Sequence, residues 1–188
     1  RTESITSAQN AKIKSLMELQ EKSKARRKEG LFVVEGRREL EHCIASGYAV
    51  HTVFICKEIL GEDASKSVYG IIDKTEVSQQ RQCTIIEIPK PLYEKVAYRG
   101  STEGVIAELH CKEHSLKNLE LKENPLVVIL ESVEKPGNLG AVLRSADAAG
   151  VDAVVICDPL TDLYNPNLIR SSIGGIFTVP VAAATSEE

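Results

Sequence analysis

The residues best placed to do chemistry lie in one stretch, Glu131-Ser-Val-Glu-Lys-Pro-Gly-Asn-Leu-Gly-Ala-Val-Leu-Arg-Ser-Ala-Asp-Ala-Ala149. An apolar run feeds a Pro-Gly loop, Asn138 opens a helix over Leu139–Ala149, and Gly150 ends it. Backbone N–H groups at such a helix start can hold an anion such as a phosphate. Arg144 adds a planar fork of donors that suits the same kind of ligand. Asn138 and Arg144 are six residues apart, about 600° around an α-helix. They therefore share a face only if Asn138 sits at or before the N-cap. Gly137 and Gly140 allow close backbone approach, or they simply make the strand-to-helix turn. Arg144 also has a purely structural alternative, an ion pair with Glu131, Glu134 or Asp147, the last at i+3. No Gly-Lys-Ser/Thr follows the loop and the G-x-G-x-x-G fingerprint is absent, so a nucleotide-binding reading lacks its phosphate-binding lysine.

Two kinds of element must hold this stretch. Pro125–Glu131 is an almost continuous apolar run, the pattern of a parallel strand buried on both faces. Ala153–Cys157 reads the same way, Asn165 is an N-cap for a short helix over Pro166–Ser172, and Phe177–Val181 is a further strand. Two or three strands are few for a doubly covered sheet. Upstream, Ile13, Leu16, Met17 and Gln20 mark one face of a first helix. Strands are expected at Leu31–Glu35, His51–Cys56, Thr84–Ile88 and Gly104–Leu109. Helices are expected at Arg37–Ser46, ended by Gly47, at Pro89–Tyr98, and in weaker form at Ser65–Asp73. The alternation implies an α/β domain over 1–109, a polar linker over 110–124 and a second α/β domain over 125–188.

Composition bounds the partners. The 188 residues are 43% hydrophobic and 27% charged, with 4% aromatics and no Trp. That is a globular composition with few platforms for stacking bases, so any nucleic acid would be held by backbone charge and shape. The net charge is −4, but its distribution is uneven. Residues 11–38 carry nine basic side chains (Lys12, Lys14, Lys22, Lys24, Arg26, Arg27, Lys28, Arg37, Arg38) against four acidic ones. This is either a solvated helix face or an electrostatic footprint. The five cysteines, Cys43, Cys56, Cys83, Cys111 and Cys157, form no C-x-x-C pair and read as reduced core residues of a cytosolic protein. His110 and His114 stand in no recognised ligand spacing and read as solvent-exposed, with no metal. No signal peptide and no long apolar run supports secretion or membrane insertion, so the expected location is cytoplasmic.

Three segments, in order, carry a family resemblance. Asn138-x-Gly140-x-x-x-Arg144-Ser145-Ala146 resembles the first signature of the SpoU/TrmH RNA 2′-O-ribose methyltransferases of the SPOUT superfamily. Asn165-Pro-Asn-Leu-Ile-Arg-Ser-Ser-Ile-Gly-Gly-Ile-Phe-Thr-Val-Pro-Val181 is similar to the segment that follows it. Arg26-Arg-Lys-Glu-Gly-Leu-Phe-Val-Val-Glu-Gly-Arg-Arg38 resembles the substrate-binding domain of the family, whose fold is like that of ribosomal proteins that bind kinked RNA. Lys135 stands where the family has an acidic residue.

The resemblance implies methyl transfer from S-adenosylmethionine to a ribose 2′-hydroxyl, of ribosomal rather than transfer RNA. It implies Arg144 and Asn138 as catalytic residues, a homodimer, and RNA contacts by Lys24, Arg26, Arg27, Lys28, Arg37, Arg38, Gly140 and Arg170. It also implies a parallel-sheet SPOUT domain for the second half. The segments that build the family's trefoil knot and hold the cofactor are not found up to Glu188, so cofactor residues are expected beyond it and no knot is expected within this chain. The competing expectation is a non-catalytic RNA-binding module.

Overall fold

Alternating apolar residues build a mixed sheet in the first half of the chain. The computed structural model describes residues 2–98 and 103–188, and these divide into two units, 1–111 and 112–188. In the first unit β1 (Thr2–Ser4), β2 (Leu31–Glu35), β3 (Val50–Ile55), β4 (Thr84–Glu87) and β5 (Val105–His110) lie in the order β1-β4-β3-β5-β2. β4 pairs parallel with β1 and β3, while β5 runs antiparallel between β3 and β2. On one face, α1 (Ala11–Glu21) and α6 (Lys90–Val96) bury Ile13, Leu16, Leu19, Leu92, Tyr93 and Val96 against Leu31, Val33, Phe54, Ile86 and Ile106. The strand period of two sends Phe32 and Val34 to the other face, where α3 (Arg37–Ala45) inserts Leu40 and Cys43. The α/β fold expected for this half is therefore present.

Two elements exceed the expectation, each for a physical reason. The helix expected at Ser65–Asp73 is α5, which follows α4 (Lys57–Leu60) and runs over Glu62–Gln79. Its buried positions are Ser65, Val68, Ile72 and Thr75. Two of the four are polar, so the apolar period breaks off before the helix does. Their hydroxyls are satisfied inside the helix, Ser65 donating to Gly61 O at 2.6 Å and Thr75 to Ile71 O at 2.7 Å. β1 is Thr-Glu-Ser, three polar residues whose sequence carries no strand signal; pairing with β4 makes them a strand.

α2 (Ser23–Glu29) holds the clearest reassignment of a basic residue. Arg26 is only 3% exposed, and its Nη1 donates to Leu19 O at 2.6 Å and Gln20 O at 3.3 Å. The last carbonyls of a helix have no partner within it, and Arg26 supplies one for the end of α1. Beside it the buried Gln20 donates to Val96 O at 2.9 Å and to Glu35 Oε1 at 3.2 Å.

The second unit is a parallel sheet, β6 (Val127–Glu131), β7 (Ala153–Cys157) and β8 (Val181–Ala184), in that order. α7 (Pro136–Ala149) crosses from β6 to β7, and α8 (Pro166–Ser172) with α9 (Gly175–Thr178) crosses from β7 to β8. Asn165 caps α8 as expected, accepting from Asn167 N at 2.8 Å. The strand expected at Phe177–Val181 is instead α9 followed by β8: Val179 N bonds back to Gly175 O at 2.9 Å, and extended pairing begins only at Val181. The expectation of two-faced burial holds for β7, where Ala153, Val154, Val155 and Ile156 are buried, but not for β6, where Ile129 is 68% exposed. β6 is one of the two edge strands of this sheet among the described residues.

The polar segment read as a linker belongs to this unit from Lys112 onward. His114 O accepts from Ala183 N at 2.8 Å, its Nδ1 donates to Val181 O at 3.0 Å, and its Nε2 lies 2.6 Å from Tyr164 Oη, which also accepts from Lys112 N at 3.0 Å. The Nδ1–H donates to the Val181 carbonyl, and burial of the ring favours its neutral form. His114 is thus a half-buried fastener, not the exposed residue its setting suggested, and burial holds its pKa below the usual histidine value. Cys43, Cys56 and Cys83 are buried and reduced, Cys111 and Cys157 half-buried and reduced, and no cluster suited to a metal occurs among the described residues. No helix of the described residues is long and apolar enough to cross a membrane.

Two outcomes follow. Arg26→Leu lowers the unfolding free energy by about 2 kcal/mol, because charged hydrogen bonds to two carbonyls are lost; urea titration reads it. A histidine held neutral in the fold contributes stability above its unfolded pKa that is lost as pH falls through that value toward the lower folded one. The midpoint of urea unfolding therefore drops between pH 7 and pH 5, and His114→Gln flattens that drop.

Candidate functional site

The strand–loop–helix singled out by sequence is β6, the loop 132–135 and α7. The helix starts earlier than expected. Lys135 is the N-cap and Pro136 the first helical residue, a position that suits its fixed φ and missing N–H. Asn138 therefore lies inside the first turn. Its side chain is exposed and does not cap the helix; its N–H bonds to Lys135 O at 3.0 Å. Asn138 and Arg144 are then both helical and about 120° short of a common face, which is the arrangement the sequence offered as the less favourable one.

Arg144 is exposed on α7. The acidic residues that the sequence offers as partners do not pair with it. Glu131 accepts from Ser186 Oγ at 3.2 Å, Asp147 accepts from Thr178 Oγ1 at 3.2 Å, and among the described residues no side-chain hydrogen bond or ion pair reaches Arg144. An exposed guanidinium with no internal partner is available to a ligand.

Of the two glycines, Gly140 makes the close backbone approach that the sequence allowed, but to a neighbouring helix. A Cβ on Gly140 would lie 1.8 Å from Ser171 Oγ and 2.7 Å from Leu168 O of α8. Gly140 is buried at this crossing, so its contribution is close helix packing, and it makes no surface for RNA. A Cβ on Gly137 would meet nothing within 4 Å. A second close approach was not legible as such: a Cβ on Gly175 would lie 2.8 Å from Leu143 O and 3.2 Å from Arg144 N. The only sequence signal was the Gly174-Gly175 pair, which spacing alone cannot assign to a partner helix.

The carboxyl ends of the parallel strands carry irregular backbone. Ser132 (φ 51°) after β6 and Asp158 (φ 46°) after β7 are non-glycine residues in the left-handed region, the kind of strain that concentrates at binding loops. Here Ser186 Oγ bridges Asp158 Oδ2 at 2.5 Å and Glu131 Oε1 at 3.2 Å.

The basic residues of the first unit do not act as one run. Lys24, Arg27 and Lys28 are exposed on α2, Lys28 within 3.4 Å of Glu29. Arg37 and Arg38 open α3 beyond the far end of β2, and Arg37 Nε donates to Glu41 at 2.7 Å. Arg26 is buried. Arg170 is exposed in the last turn of α8.

Known proteins share this arrangement. Residues 10–107 match the family model of the MRM3-like substrate binding domain, and residues 125–188 that of the SpoU rRNA Methylase family. The 23S rRNA (guanosine(2553)-2'-O)-methyltransferase RlmP of Bacillus subtilis is 31% identical over 177 residues, an alignment covering 94% of this chain and 63% of that protein. This chain thus spans less than two thirds of that relative. A solved RNA 2'-O ribose methyltransferase superposes with a TM-score of 0.77 at 32% identity, over 98% of this chain and 67% of that one. The AdoMet-bound rRNA methyltransferase from Sinorhizobium meliloti shares the fold, with a TM-score of 0.84 at 23% identity over 99% of this chain and 66% of that one. With the signature on α7, the substrate-binding unit before it and these matches across both, the chain belongs to the SpoU/TrmH family of RNA 2′-O-ribose methyltransferases.

Proposed function

We propose that this chain supplies the RNA-holding unit and the ribose-activating helix of an enzyme that methylates a 2′-hydroxyl of ribosomal RNA. The observation that carries the reading is Arg144, exposed and without an internal partner in the middle of the family signature. A ribose hydroxyl is a poor nucleophile until it develops alkoxide character. Arginine keeps its proton up to a pKa above about 12, so Arg144 acts by orienting the hydroxyl or its neighbouring phosphate and stabilising the developing negative charge. Asn138, a turn and two-thirds earlier on the helix, contacts the RNA from a different face and does not orient Arg144 directly.

S-adenosylmethionine, when bound, supplies the electrophilic methyl group. Ser186 Oγ lies between Asp158 Oδ2 and Glu131 Oε1 at the carboxyl edge of the sheet, one hydroxyl proton between two carboxylates. No residue of this chain is assigned to S-adenosylmethionine. The RNA is held by Lys24, Arg27 and Lys28 on α2, by Arg37 and Arg38 on α3, and by Arg170 on α8. Arg26 and Gly140 are left out because both are buried in packing. A homodimer working in the cytoplasm completes the reading and rests on the family resemblance.

In the full-length protein Arg144→Ala lowers kcat by about 10²–10³-fold, the cost of losing one aimed donor to developing charge. The exposed Arg144 side chain makes no hydrogen bond or ion pair among the described residues, so the melting temperature is unchanged. Arg144→Lys recovers only part of the rate, because the charge stays but the planar fork is lost. A fully active Arg144→Ala variant overturns the assignment. Separately, replacing Lys24, Arg27 and Lys28 together by Ala weakens RNA binding uniformly across sequences. It flattens the slope of log affinity against log salt by about two to three, close to one counterion per lost phosphate contact. An unchanged slope removes α2 from the interface.

A further inference from the structure

α9 is four residues long and lies against α7 just where Arg144 leaves it. Gly175 opens α9, and a Cβ there would stand 2.8 Å from Leu143 O, 2.9 Å from Leu143 C and 3.2 Å from Arg144 N. All three are backbone atoms, which cannot swing aside. One turn on, Thr178 Oγ1 is 3.2 Å from Asp147 Oδ1 and 3.3 Å from Gly174 O. Asp147 is the acidic residue at i+3 from Arg144, the spacing at which opposite charges pair on a helix. Both side chains are exposed, and yet they do not pair. A preceding residue, Ile173, sits at φ 48° and ψ 54° although it is β-branched. The chain thus accepts a strained entry to α9, followed by Gly174 at φ 80°.

We infer that α9 is a positioning element for Arg144: Gly175 seats it on the Leu143–Arg144 backbone, and the Thr178 hydroxyl holds the Asp147 carboxylate away, leaving the guanidinium open to RNA. The inference rests on the reading of Arg144 given above. Gly175 and Thr178 touch no substrate in it; they act through Arg144 and Asp147. The hydroxyl has one proton and two acceptors, Asp147 Oδ1 and Gly174 O. Removing it frees the carboxylate to swing toward Arg144, while the backbone of α9, closed by Val179 N to Gly175 O at 2.9 Å, stays in place.

The test is steady-state methylation of RNA by the full-length protein. Gly175→Ala pushes the two backbones apart by a few tenths of an ångström and lowers kcat about tenfold, since small misplacements of an aimed group are costly. Should that variant fail to fold, the Thr178 series decides. Thr178→Val lowers kcat/KM for RNA by about two- to threefold at low salt, the scale of one exposed i,i+3 ion pair competing for the guanidinium. Thr178→Ser restores it, and so does adding Asp147→Asn to Thr178→Val, a rescue that a merely structural role of Thr178 would not show. Wild-type kcat/KM in Thr178→Val, or a loss that persists with Asp147→Asn, overturns the inference. Arg144→Ala separates the two levels: if it is inactive while Thr178→Val is normal, only this inference falls, and if it is active, the reading of Arg144 falls with it.

Discussion

The second unit depends on how closely α7 approaches α8 and α9. Two glycines set that approach from opposite sides. Gly140 of α7 admits Ser171 and the Leu168 carbonyl, and Gly175 of α9 admits the Leu143 carbonyl and the Arg144 amide. Backbone meeting backbone at this range leaves no room for a methyl group on either side. It also ties the axial position of α7 to the segment that follows β7. Since Arg144 projects from α7 between these two seats, its location is set by main-chain contacts more than by any interaction of its own side chain. A side chain whose backbone is held this way can remain unpaired without losing its position.

The first unit solves a different problem with similar residues. Its sequence concentrates positive charge over residues 11–38, but the fold divides that charge by function. Arg26 turns inward and satisfies the carbonyl end of α1, together with the neighbouring network of Gln20, Glu35 and the Val96 carbonyl. Lys24, Arg27 and Lys28 stay in solvent on α2, and β2 separates them along the chain from Arg37 and Arg38 on α3. A buried guanidinium costs stability unless its hydrogen bonds are met. That they are met by main-chain oxygens is what makes Arg26 a structural residue in the midst of a basic sequence.

Much of this was legible in advance where the signal was local. The β7 run, the N-cap at Asn165 and the helical face of Ile13 and Leu16 all read correctly, because propensity, capping and burial point the same way there. Where burial is shared with polar residues, as at Ser65 and Thr75 of α5, periodicity stopped short of the helix. Where an element exists only through its partner, as with Thr2–Ser4, no local signal was present. The linker reading failed for the same reason: His114 is polar, and only its bonds to Val181, Ala183 and Tyr164 make it part of the second unit. Arg144 is a candidate that its motif names, while Gly175 and Thr178 are not named by any motif, since neither carries chemistry by residue type.

By itself, then, the sequence determined the α/β alternation and the family signature, and it singled out Arg144 as a candidate, because these are written in residue types and short spacings. The tertiary structure decided which side chains of that signature are exposed and which are buried. It started α7 at Pro136 and so turned Asn138 away from Arg144. It buried Gly140 and Arg26 in packing, exposed β6 at the sheet edge, and engaged Asp147 with Thr178. Each of these turns on contacts between residues distant in the chain, and a one-dimensional pattern specifies the face of an element without specifying what comes to meet it.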